Sequence, residues 1–530
     1  MSVTFGRVTS GDWYLGIDLG TGGVKVAAVD RDGAVLLSGF SPIETELRSG
    51  GGAVQDTASW WDGIGTCTRS ITRSGSVDPA RCRGIGITGQ WGSTIPVDIA
   101  GHAVGPCLLW SDDRGAQWSA AITGGPVRVS GFDPRKLAKW IRLTGGAPSP
   151  GGADPTGHAQ FLRHRMPNVY AQAHALVEPV DFVAARLTGR VAATPASMVA
   201  SWLTDNRVGA APAYVPTLIE LAGRDPAKLP TLLPTGAKLG GLRPDVAKDL
   251  GLPADVPVVC GVPDLHTAAL GAGATGDFEG HIAISTTAWV SAPVPFKKTD
   301  VLRQIASIPG LRAGSYLIAN NHETGGACLR WFREAMYADD PRSDDLPTYD
   351  QIAAQAEMVP PGAGGVIFAP WLKGERSPVD DRHLRGSFVN VSLATTRVSM
   401  ARAVLEGVAY NARWLLEATE KFAGRPLDGL RILGGGAQSG LWCQIHADVI
   451  GRPIEQVADA VNVNVRGAAW LAALNLGHLT LDELREARPV AKTFRPAADA
   501  MRTYESLYSE FAKLYKQQKS MYKRLNRRTA

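Results

Sequence analysis

YLGIDLGTGGVKVAAVD, residues 14–30, consists of two β-prone runs joined by Gly-Thr-Gly-Gly, and the fold class turns on how that junction is read. Tyr14–Gly20 and Val24–Asp30 read as strands, and a third run, residues 34–40, follows the turn Arg-Asp-Gly. Short turns between β-prone runs predict an antiparallel meander. Glycine also lets the backbone approach a ligand closely, and turn N–H groups make an anion-binding concavity. The junction is neither of the two common phosphate loops. No G-x-x-x-x-G-K-[ST] occurs, and GTGGVK lacks the dinucleotide spacing and opens a strand where that motif opens a helix.

The chain is 530 residues long, which predicts two large domains with ample apolar material for separate cores. Its net charge is +5, but residues 511–530 hold seven Lys or Arg and no acid, so the rest carries a net −2. That balance excludes a basic nucleic-acid groove as the main business of the body. The first residues lack the apolar core of a secretory signal, and nowhere do 18 apolar residues run on, so a cytoplasmic protein with no membrane span is expected. The six cysteines are scattered and read as free, mostly buried thiols. The ten histidines show no metal-binding pair, and no structural metal is expected.

Along the chain, a helix is expected after Asp56, then the strand CRGIGITG (82–89) and a hairpin around residues 95–110. DPRKLAKWIRLTGG has the Asp-Pro start and Gly end of a well-capped helix, and the Pro- and Gly-rich stretch 144–157 after it reads as a surface excursion. Mixed strands and helices imply an α/β fold. A second Thr-bearing hairpin, HIAISTTAWVSAPV, opens the second half and hints at an old duplication. The expected domains are therefore 1–278 and 279–490, with a basic helical extension over 491–530 packed by its apolar residues 504, 507, 508, 511, 514, 515 and 525.

Three stretches each follow a strand with a Gly- or Thr-rich turn whose N–H groups suit a phosphate: 17–26, 284–290 and 432–440. In the first, Asp18 is placed to hold Mg²⁺ through water while Thr21 bonds a phosphate oxygen. The plan resembles the actin-like (ribonuclease H-like) ATPases, two related domains with the active site in the cleft between them. In CGVPDLHTAALGAG (260–273), Asp264 reads as a helix N-cap on local evidence.

Seven motifs in chain order extend that likeness: IDLGTGGVKVAAVD, VQDTASWW, GITGQWGSTIPVD with CLLWSDDRG, VCGVPDLHTAALGAG, FAPWLKGERSPVDD, ARAVLEGVAYNAR, and LGGGAQSGLWCQIHADVIGRPIE with RGAAWLAA. The sequence resembles the FGGY family of carbohydrate kinases, and its xylulose-phosphorylating members most closely. The resemblance implies transfer of the γ-phosphate of ATP, with Mg²⁺, to a terminal hydroxyl of a small sugar. A ketopentose such as D-xylulose is the first expectation, and another ketose or a polyol of the ribulose, ribitol or glycerol type is the alternative. An actin-fold ATPase or a non-catalytic sugar sensor is the alternative from another class. Self-association as a homodimer is left open.

The resemblance also implies roles. Asp264 falls at the catalytic base, with its N-cap position fixing the carboxylate. Gly20, Thr21, Gly22, Thr286 and Thr287 would line the phosphates from two sides. Gly434, Gly435, Gly436, Ala437 and Ser439 would approach the α-phosphate and adenosine. Gln90, Trp91, Trp110, Asp112 and Arg114 fall on sugar-side segments. Three departures bear on the sugar: Trp91-Gly92-Ser93 stands where xylulose-phosphorylating members typically have Met-His-Gly, Pro263-Asp264-Leu265 where they have Gly-Asp-Asn, and Ser285-Thr286-Thr287 where they have Gly-Thr-Ser. Leu265 makes no polar contact of the kind Asn makes, and His266 is expected on the helix surface.

Overall fold

The computed structural model describes residues 2–5, 11–337, 346–487 and 489–527. The meander forms as expected. Trp13–Gly20, Gly23–Asp30 and Val35–Pro42 pair antiparallel, with Gly20 opposite Gly23, and Ser2–Phe5 adds an edge strand. On the other side Trp13–Gly20 runs parallel to Cys82–Gly89, which pairs in parallel with Pro257–Val259; Lys238–Gly241 closes that edge antiparallel.

Side chains alternate across these strands and build two layers. Leu15, Ile17, Val24 and Val26 pack with Trp60, Ile64, Cys67 and Ile71 of the helix Thr57–Thr72, whose N-terminus Asp56 caps through the Ala58 N–H. Tyr14, Ala27 and Val29 face the other way, onto Val465, Ala469 and Trp470 of the helix Val463–Asn475.

The second sheet repeats the run of pairings that the first makes from Gly23–Asp30 to Lys238–Gly241. Ala288–Ser291 is antiparallel to Glu279–Ile284, which is parallel to Asp428–Leu433, then parallel to Ile454–Val457, then antiparallel to Val490–Phe494. In both sheets a hairpin sits beside two parallel strands, which is the topological form of the repeat suggested by the two Thr-bearing turns. The long helix Arg397–Ala423 and the helix Gly440–Ile450 pack into this second core. The whole is a two-domain α/β fold.

Val463–Asn475 crosses back onto the first sheet and lies along the helix Asp264–Gly271. Glycine makes that approach possible. A Cβ on Gly16 would overlap the Val465 carbonyl, on Gly86 the Ala468 carbonyl, on Gly467 the Thr267 carbonyl, and on Gly271 the Val463 carbonyl.

Two expectations are corrected. The stretch 144–157 is not a surface excursion. The Gly145 carbonyl accepts the Thr299 hydroxyl at 2.6 Å, Gly152 lies directly on Gly115 and Ala116, and Asp154 caps the helix Pro155–Arg165. Its glycines permit close packing where composition suggested freedom. In the terminal helix Ala498–Leu525, Tyr504, Tyr508, Phe511, Leu514 and Tyr522 enter the second core, while Leu525 is 71% exposed. The helical repeat carries Tyr522, not Leu525, onto the buried face. All six cysteines are free and buried. No helix among the described residues is long and apolar enough to cross a membrane.

Candidate active site

Val262–Pro263 pairs in parallel with Cys82–Gly89 on the side opposite Trp13–Gly20, so Thr88 is flanked by Asp18 and Val262. The Thr88 hydroxyl donates to the Val262 carbonyl at 3.0 Å and lies 2.7 Å from the Thr267 hydroxyl, tying the start of the Asp264 helix to the sheet. Asp264 is the first helical residue and not its cap. Pro263 holds the cap position, with extended ψ of 151° and no side-chain hydrogen bond. Proline ends the strand and presets the turn into the helix, so the Asp264 carboxylate is only lightly engaged, by the Leu265 N–H.

The Asp264 carboxyl is pushed up to about 7, first by burial and then by the negative charge of Asp18. Asp18 is itself raised to about 6 by burial, opposed by the ammonium of Lys25, its cross-strand partner. Asp18 and Asp264 are each of intermediate exposure as whole residues. A carboxyl poised near neutrality and free of a strong partner suits proton abstraction.

The two hairpin turns are built alike. The Thr21 carbonyl accepts the Gln55 side-chain amide at 2.8 Å and the Gly22 carbonyl accepts the Ile43 N–H at 3.2 Å. In the second, the carbonyls of Ser285 and Thr286 accept the N–H groups of Gly326 and Gly325 at 2.6 and 2.9 Å. A trans peptide points its C=O and N–H in opposite directions, so drawing these carbonyls inward turns the amides of Gly22, Thr286 and Thr287 outward. Behind the second turn, Gly434 presses on Ile284 and Ser285, whereas nothing lies within 4 Å of a Cβ on Gly435. Ala437 is buried, and the Ser439 hydroxyl caps the Gly440–Ile450 helix through the Trp442 N–H.

Several of the residues expected on the sugar side are brought together. The Thr21 hydroxyl lies 3.3 Å from Gln90 Oε1, the Trp110 indole donates to the same hydroxyl at 3.4 Å, and Gln90 donates to Gln55 Oε1 at 3.1 Å. Asp112 is turned inward, its carboxylate holding Arg114 at 2.5 Å and the Ala53 N–H at 3.0 Å. Trp91 packs against the apolar cluster of Val199, Leu265 and Ala268.

Sequence reasoning passed over Gln55, which is buried and also accepts the Trp60 indole at 3.1 Å. Its signal was present: an amide just before a helix cap in VQDTASWW, on a strand too apolar to leave it unpartnered. Lys25 was likewise missed; its ammonium donates to the Val461 carbonyl at 2.6 Å and so joins the two halves. His266, expected on the surface, is buried, with Nε2 2.7 Å from the Pro309 carbonyl. The second half covers the helix face that a helix-only reading leaves to solvent.

The residues fit a magnesium nucleotide. Asp18 makes no side-chain hydrogen bond to another described residue, an arrangement suited to a hydrated cation, and the outward amides suit phosphate oxygens.

Two family models cover most of the chain: the N-terminal domain of the FGGY family of carbohydrate kinases matches residues 13–271, and its C-terminal domain matches residues 286–476. A xylulose kinase of Staphylococcus epidermidis is 25% identical, over 96% of this chain and 97% of its own. A gluconokinase of Bacillus subtilis is 24% identical over 94% of each. The fold is that of the ligand-bound xylulose kinase from Lactobacillus acidophilus, with a TM-score of 0.83 at 20% identity, covering 97% of this chain and all of that one. Carbohydrate kinases of this family use ATP, typically with Mg²⁺. With both of its domains matched, the chain belongs to the FGGY family of carbohydrate kinases and is a sugar phosphotransferase.

Proposed function

We propose that this kinase phosphorylates the terminal hydroxyl of a ketopentose such as D-xylulose, with Asp264 as the base. ATP supplies the γ-phosphoryl group, and Mg²⁺ neutralises its charge. The acceptor oxygen forms the new P–O bond, the bond to ADP breaks, and the hydroxyl proton passes to Asp264. The outward amides of Gly22, Thr286 and Thr287, with Gly20 and Thr21, grip the phosphates; Gly434 to Gly436, Ala437 and Ser439 border the nucleotide; Asp18 holds the metal through water. Gln90, Trp91 and Trp110 face the acceptor, and Asp112 holds Arg114 beside them. The division falls near residue 278, with the base, the acceptor residues, Asp18 and the first phosphate hairpin before it, and the second hairpin and the Gly434–Ser439 segment after it. The enzyme works in the cytoplasm on a small-molecule sugar.

The observation that carries this reading is Asp264, titrating near neutrality beside Asp18 and engaged by no strong partner. A second reading, a kinase for another ketose, a polyol or an aldonate, is favoured by Leu265, which is buried in an apolar cluster and offers the acceptor no polar contact. A gluconokinase also stands among the relatives. Coupled ADP release across pentuloses, hexuloses, polyols and aldonates separates the two. Turnover highest on D-xylulose supports the first reading, preference for another acceptor supports the second, and ADP release indifferent to every acceptor sinks both.

A further inference from the structure

Glu178 and Asp181 lie in and just before the helix Pro179–Thr188, and each is only 2% exposed. No Lys, Arg or His comes within ion-pair range of either among the described residues, and Glu178 Oε1 and Asp181 Oδ2 have no hydrogen-bond partner. Buried carboxyls of this kind are costly unless they carry a proton or do something in return. Burial and the neighbouring Asp181 push Glu178 well above the usual carboxylate range.

What Glu178 does is hold a turn. Its Oε2 accepts the Ser93 N–H at 3.2 Å, with the Gly92 N–H close enough to the carboxyl to favour its charged form. Gly92 has a φ of +79°, a left-handed conformation next to the residue that the carboxyl holds. From that turn the Ser93 hydroxyl accepts the Trp110 N–H at 3.0 Å, and the Trp110 indole reaches the Thr21 hydroxyl. Trp91 precedes the turn directly. On the other side Asp181 faces Ser197, at the start of the short helix Ser197–Ser201 that packs Val199 among Trp91 and Leu265. One buried carboxyl pair therefore stands behind both aromatic side chains on the acceptor side.

We infer that Glu178 is a positioning residue for acceptor selection, fixing the Trp91–Ser93 turn and through it Trp91 and Trp110. The inference rests on the kinase reading for its kinetic consequence but not for its structural one. Glu178 touches no substrate; it acts through the backbone N–H of Ser93. A carboxamide oxygen still accepts the Ser93 bond, whereas an apolar side chain does not.

The experiment compares Glu178→Gln, Glu178→Leu and Ser93→Ala with the wild type by amide hydrogen exchange and by kinetics. Exchange of the segment around Gly92 and Ser93 should accelerate at least ~10-fold in E178L and stay near wild type in E178Q. With the best acceptor, KM should rise at least ~10-fold in E178L, roughly 3-fold or more in S93A, and less than ~2-fold in E178Q, with KM for ATP unchanged in all three. S93A leaves the buried pair intact and cuts the link from the turn to Trp110, so if E178L fails to fold, an acceptor KM unchanged in S93A overturns the inference. Unchanged exchange in E178L, or equal damage in E178Q and E178L, overturns the inference. So does a KM for ATP that rises in step with that for the acceptor. A wild type without acceptor-dependent turnover would defeat the kinase reading, and the exchange result would then still decide whether Glu178 holds the turn.

Discussion

Asp18 and Asp264 stand on either side of the Cys82–Gly89 strand, and the charge of the first holds the carboxyl of the second above its ordinary range. Removing that charge has a definite sign. In the wild type, kcat/KM for the acceptor should rise with pH through an acid limb near 7, as the base loses its proton. In Asp18→Asn the limb should move to lower pH while the plateau falls, because the proposed magnesium ligand is lost as well. A limb that stays in place would show that Asp18 does not act on the base.

Asp264→Asn should lower kcat by roughly 10²-fold or more. Stability should move the opposite way. The folded-state carboxyl titrates above its unfolded value, so its contribution to stability is full in acid and lost as pH rises through about 7. The variant should therefore melt at or above the wild type at pH 8, with the difference closing toward pH 5. A variant less stable at pH 8 would mean that the carboxylate is a structural partner.

Gln55→Leu removes the donor to the Thr21 carbonyl and the acceptor for Gln90 and Trp60 in one step. Unsatisfied buried groups cost about 1–3 kcal/mol each, so denaturant melts should register the change. Because the Gly22 amide is aimed by that carbonyl, KM for ATP should rise too. Loss of stability with ATP binding intact would confine Gln55 to the core.

The same small substitution should act differently at two glycines. Gly467→Ala drives a methyl into the Thr267 carbonyl on the helix that carries Asp264, and overpacking of this kind costs about 1–3 kcal/mol. Both melting temperature and kcat should fall. Gly435→Ala meets no protein atom within 4 Å, so stability should hold while KM for ATP rises. If G435A binds ATP normally, the nucleotide does not approach that backbone.

The hairpins, the helix caps at Asp56 and Asp133, and the strand Cys82–Gly89 were legible in the sequence because each is set by local chemistry: turn glycines, an Asp before a helix, a period of two. The identity of Asp264 as a candidate base came from the order of the motifs and not from its own surroundings, which suggested a cap. Proline decided the detail, by taking the cap position itself. His266, Lys25 and the stretch 144–157 were misread or missed for one shared reason. Each meets the second half of the chain across a distance that local pattern does not encode. Gln55 shows the intermediate case, a polar residue whose apolar setting announced a partner without naming it.

The Val463–Asn475 helix covers the face of the first sheet that presents Tyr14, Ala27 and Val29. During synthesis those side chains emerge early and their cover emerges late. A nascent chain therefore holds an open apolar sheet face until residue 475 has left the ribosome. A gene fragment ending near residue 278 leaves that face uncovered for good, and such a fragment should aggregate or recruit chaperones unless residues 463–475 are supplied in trans.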